Sequence, residues 1–95
     1  MSNGKNEVEG RGHYKLEPWK LAIGLVRNVY TLTQTFPKEK MFGLASQMRR
    51  AAVSVLSNVA EGAARVGQKE FAQFLNVARR SLSELEKQLL ISTDL

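Results

Sequence analysis

Residues 38–65 read KEKMFGLASQMRRAAVSVLSNVAEGAAR. Placed on a helical wheel, nearly all polar side chains of this stretch fall in one arc of roughly 120°. They are Glu39, Lys40, Ser46, Gln47, Arg50, Ser54, Ser57, Asn58, Glu61 and Arg65. The other 240° or so is apolar, running through Met41, Phe42, Leu44, Ala45, Met48, Ala51, Ala52, Val53, Val55, Leu56, Val59, Ala60 and Ala63. A surface helix needs an apolar stripe of only about 100°. A helix with this much apolar circumference must be covered on two sides, because large apolar patches are rarely left in water.

The flanking sequence supplies the cover for one of those sides. Phe36-Pro37 precedes the stretch, and the residue before a proline is pushed out of the α region. A first helix is therefore predicted from Glu17-Pro18 to just before Phe36, with a broad apolar face including Trp19, Leu25, Val26 and Val29. The second helix starts at Lys38-Glu39 and runs to about Glu61–Arg65, with Gly62 and Gly67 bracketing its stop. A third is predicted from Gln68-Lys69-Glu70 to about Ser92. Its Phe71, Leu75, Ala78, Leu82, Leu85 and Leu89 step 4-3-4-3-4, a heptad seam. No segment alternates with β-branched enrichment. The expected architecture is all-α, an up-down antiparallel bundle of three long helices over residues 16–95. Residues 1–15, rich in Gly, Asn, Lys and Glu, read as a flexible tail.

Composition narrows the function. The chain has 95 residues, no Cys and one His. Disulfides, thiolate metal sites and Cys nucleophiles are excluded, and His13 stands alone in the tail. No apolar run nears the roughly 18 residues of a membrane span, and the start lacks a secretory pattern, so the cytoplasm is the expected compartment. No catalytic constellation, metal site or cofactor loop is predicted. Glu61 and Arg65 read as an i,i+4 ion pair. Ser54, Ser57 and Ser81 read as close-packing residues or as back-bonded to their own helix.

A net charge of +5 favours anionic partners. Arg50, Arg65, Lys69, Arg80 and Lys87 are the candidate nucleic-acid-binding residues, either as an anion-binding surface or as an ordinary solvated face. No aromatic residues interleave with them in sequence to stack bases. Met41, Leu44, Met48, Arg49, Val55, Leu56 and Val59 are the candidate oligomer interface, since three short helices cover one side of the middle one and another copy must cover the rest. Arg49 lies within the apolar arc. Two readings stand for it: a side chain snorkelling to water, or an ion pair between subunits, to Glu84 or Glu86. A partner protein docking on the apolar face of the first two helices is the alternative to nucleic acid.

Several motifs together resemble the four-helix bundle family encoded in bacterial 23S rRNA intervening sequences. They are Phe36-Pro37, Gln47-x-Arg49-Arg50-Ala51, Ser57-Asn58-x-Ala60-Glu61-Gly62, Arg65, Phe71-x-x-Phe74-Leu75 and Leu85-Glu86, within residues 17–92. The resemblance implies a small up-down bundle that assembles as a homopentamer, with no established enzymatic activity. The chain is also similar to the accessory protein of diversity-generating retroelements, a basic pentamer that engages nucleic acid and a reverse transcriptase. It departs from the family pattern at Leu56, where Pro is frequent, and at Arg79-Arg80, where Gly is usual. At Leu95, where the sequence ends, the family continues into a fourth helix.

Overall fold

A computed structural model describes residues 2–65 and 67–94, with backbone alone for 2–15 and 40. Three helices follow one another, and no strand occurs among the described residues. Helix α1 spans Ser2–Thr33. Helix α2 is one continuous rod built from three pieces, Lys38–Lys40, a π-helical Met41–Ala45, and Ser46–Ala63. Helix α3 spans Gln68–Thr93. The molecule measures 59 × 21 × 17 Å.

The first helix departs from expectation at its start. Its backbone is helical from Ser2, with Pro18 inside, so the boundary between residues 15 and 16 is not marked by a break. Pro18 has no N–H to donate, so one rung of the i→i−4 ladder is missing there. The flexibility expected of residues 1–15 and the side chain of His13 lie outside what is described. The other limits agree with the sequence reading. Thr33 closes α1, Phe36 N–H donates back to the Thr33 carbonyl at 3.1 Å, and Pro37 stands at the N-cap of α2 with ψ 150°.

The stop of α2 falls where the two glycines put it, by a different mechanism. No described glycine has positive φ, so neither serves as a left-handed C-cap. Gly62 is instead a place where α3 comes close to the α2 backbone. A Cβ there would sit 2.8 Å from Phe74 Cβ and 2.9 Å from Phe71 Cδ1. Gly67 is the extended N-cap of α3, and its carbonyl accepts from Phe71 N–H at 3.1 Å.

Helix α2 is the middle element. Both α1 and α3 pack along it, and they scarcely approach each other. Two apolar clusters lie in series along its length. One joins Val29 of α1 and Met48, Ala51 and Ala52 of α2 to Leu85 of α3. The other joins Ala22, Val55, Val59 and Ala78. Met48, Leu85 and Phe71 are fully buried, each worth about 1.5–3 kcal/mol of transfer free energy. Leu82, assigned to the heptad seam, sits at its rim, and Leu90 and Ile91 face outward.

The π-helical turn was not foreseen. Its i→i+5 bonding adds a residue to one turn and so rotates the preceding side chains relative to the rest of α2. Phe42, expected on the covered arc, is 90% exposed.

Candidate nucleic-acid interface

Beyond this rotation, part of the apolar arc of α2 still faces solvent within a single chain. Val53 is exposed, as is Ala60. Arg49, from the same sector, reaches α1. Its Nε–H donates to Thr33 Oγ1 at 2.8 Å, and its guanidinium carbon lies 4.7 Å from the centre of the Tyr30 ring. Thr33 is fully buried, and its hydroxyl donates to the Val29 carbonyl at 2.7 Å. The hydroxyl is thus used in both directions, as the donor and acceptor capacity of threonine permits. Within one chain Arg49 therefore neither snorkels freely nor pairs with a carboxylate among the described residues. It is clamped between a hydroxyl and an aromatic face, a hydrogen bond and a cation–π contact together.

Two clefts lie along this part of α2, and Arg50 lines both. One, of about 620 Å³, lies on the α1 side and is lined by Tyr30, Arg49, Ser46 and Ser57 among others. The other, of about 530 Å³, lies between α2 and α3, with Arg80 and Glu84 on its far wall. Between the clefts the helices approach through small hydroxyls, Ser54 Oγ and Ser81 Oγ being 2.8 Å apart. Asn58 Nδ2–H donates to the Ser54 carbonyl at 2.8 Å. Buried Gln88 also lines the second cleft, and its Oε1 has no hydrogen-bond partner among the described residues.

The five basic candidates do not form one patch. Arg50 and Arg80 share a cleft. Arg65 lies at the α2–α3 corner, 3.6 Å from Glu61 Oε1 and with its guanidinium carbon 5.3 Å from the Phe74 ring centre. The expected Glu61–Arg65 pair is formed, but both side chains are about half exposed and it adds at most a few tenths of a kcal/mol. Lys69 and Lys87 are exposed near opposite ends of α3, about 27 Å apart at 1.5 Å per residue.

The sequence reading missed the aromatic partners. Tyr30 and Phe74 stand on other helices than the arginines they meet, so no local pattern joins them. The available signal was a lone cation in an otherwise apolar arc, which has to find a partner on whatever packs there.

The candidate interface residues divide. Met48, Val55 and Val59 are buried in the chain's own core, and Leu44 and Leu56 are half-buried against it. Val55 and Val59 also floor an apolar groove of about 350 Å³ between α1 and α3, walled by Leu21, Leu25, Leu75 and Leu82. Met41 and Arg49 lie on the other side of α2, in the Tyr30 cleft. No cluster of three or more potential metal-ligating side chains occurs among the described residues, and no described helix is long and apolar enough to cross a membrane.

These features define a small all-α protein with an arginine-lined side and an apolar groove. A family model described as 23S rRNA-intervening sequence protein matches residues 14–95, and the chain belongs to that family. The family is not known as enzymatic. No curated protein matches the chain.

Proposed function

We propose that this protein is a non-enzymatic, self-associating helical module whose arginine-lined side binds RNA or DNA through the phosphate backbone. The observation that carries the reading is the position of Arg50, shared by two adjoining clefts that also hold Arg49 and Arg80. Three guanidiniums on one side of a chain of net charge +5 suit a polyanion, and guanidinium pairs with phosphate bidentately. The apolar groove between α1 and α3 supports self-association, with a second copy as its occupant; a pentamer is the assembly the family resemblance implies. Groove and arginine-lined clefts lie on roughly opposite sides of α2, so a copy seated in one leaves the other open. The cytoplasm is the compartment proposed.

Oligonucleotide binding at increasing sodium chloride tests the phosphate mechanism. Affinity should fall steeply, with a log–log slope near −0.7 to −0.9 per phosphate neutralised. A flat dependence removes the reading. Charge reversal at Arg50 should weaken binding with the fold intact.

The groove also supports a second reading, a scaffold that docks a partner protein on it. Leu21, 72% exposed on its rim, is the observation in favour. A complex that survives nuclease and is lost on Leu21→Lys would favour it.

A further inference from the structure

Arg49 differs from the surface cations in being held before any ligand arrives. One N–H of its guanidinium is taken by Thr33 and one face rests over Tyr30. The Nη groups have no hydrogen-bond partner among the described residues, and no described carboxylate pairs with them. A half-buried guanidinium with free N–H donors, already fixed in orientation, loses little conformational entropy when an oxyanion takes them.

The cleft around it fits that role. Arg50 adds a second, exposed guanidinium, and the exposed Ser46 and Ser57 add hydroxyls. No carboxylate among the described residues lines this cleft, whereas Glu84 lines the neighbouring one beside Arg80. Tyr30 is 39% exposed, so part of its ring remains open at the edge of the same cleft. In a duplex the bases are already stacked on each other. A single strand can seat its phosphate in a recess and turn the adjoining base onto an aromatic ring.

We propose that the Arg49–Arg50 cleft is a phosphate seat for single-stranded polynucleotide, with Tyr30 as the stacking platform for the neighbouring base. This rests on the nucleic-acid reading above and adds to it a strand preference and a residue, Arg49, that the sequence assigned to a subunit contact.

The test is fluorescence anisotropy on the full chain, with a labelled mixed-sequence DNA strand and with the duplex of the same sequence, at one salt concentration. The wild type is expected to favour the strand. Arg49→Lys keeps the charge but loses the planar fork and the stack, and should weaken strand binding by about ten-fold while hardly moving duplex binding. Ser57→Asp puts a carboxylate into the cleft from an exposed position and should act likewise. Asn28→Asp makes the same change of charge on the exposed surface of α1, about 160° around the helix from Tyr30, and should stay close to wild type. Thermal melts by circular dichroism show that each variant is folded. If the wild type binds and Ser57→Asp matches Asn28→Asp, the seat is wrong while the nucleic-acid reading stands. Equal losses on strand and duplex remove the single-strand preference. Inorganic phosphate should displace the strand more than sodium chloride of equal ionic strength does, because it competes for the same guanidinium donors; equal displacement by the two salts removes the seat. No binding of either DNA overturns both readings.

Discussion

Arg49 and Thr33 lie 16 positions apart and meet through a 2.8 Å hydrogen bond from the guanidinium Nε to a fully buried hydroxyl. The contact ties the end of α1 to the first half of α2, just beyond the Phe36-Pro37 corner. Removing the hydroxyl leaves a charged donor without its acceptor in a half-buried place. Thr33→Val, which keeps the side-chain shape, is expected to lower stability by about 1–3 kcal/mol in urea unfolding. An unchanged midpoint with an unchanged slope would show that the bond contributes nothing net.

Two of the helical glycines, Gly62 and Gly24, should respond to alanine with opposite signs. At Gly62 the new methyl meets Phe74 Cβ at 2.8 Å, so the helices must part, at a cost of about 1–3 kcal/mol. At Gly24 nothing lies within 4 Å of the new Cβ, and alanine should stabilise by up to about 1 kcal/mol through helix propensity. Melting temperatures of the two variants moving the same way would contradict the close approach at the α2–α3 corner.

Gln88 is 6% exposed with its Oε1 unpartnered among the described residues. Replacing an unsatisfied buried acceptor by an apolar group of similar shape costs little or helps. Gln88→Met is expected to match or exceed wild-type stability, by about 1 kcal/mol at most. A large loss would reveal a hydrogen bond made in solution.

The apolar groove makes a prediction about mass. Leu21 and Leu82 stand on its walls, and both are exposed in a single chain. Light scattering on the wild type should report a multiple of 10.6 kDa. The double variant Leu21→Lys, Leu82→Lys should shift the population toward the single-chain mass, because lysine cannot be desolvated cheaply without a partner. A wild type that stays at the single-chain mass at high concentration would refute self-association.

The breaks at Phe36-Pro37 and around Gly67, the three helices and most of the buried face of α3 were legible because proline geometry and helical period act locally. The apolar arc of α2 was read as needing cover from its own chain on one side and from another copy on the other; α1 and α3 both pack along it, and Val53 and Ala60 of the arc remain exposed in the single chain. What could not be read depends on other helices. Gly62 looks like a C-cap until Phe71 and Phe74 arrive beside it. Arg49 looks misplaced until Thr33 and Tyr30 do. The π-helical turn over Met41–Ala45, which holds the exposed Phe42, has no sequence signature beyond Gly43 within it. Met48, Val55 and Val59 were offered to a neighbouring copy because helix-wheel arithmetic cannot say which partner claims a given sector.

Since the outer two helices hold to the middle one and hardly to each other, the molecule is mechanically a pair of hairpins that share an arm. Loosening α1 would leave the α2–α3 hairpin its own seam through Phe71, Ala78 and Leu85. The Arg49 clamp would open in the same movement, because two of its three members ride on α1. Amide protons of α1 should therefore exchange ahead of those in α3, and anything that grips Arg49 and Tyr30 together would slow that exchange from outside the core.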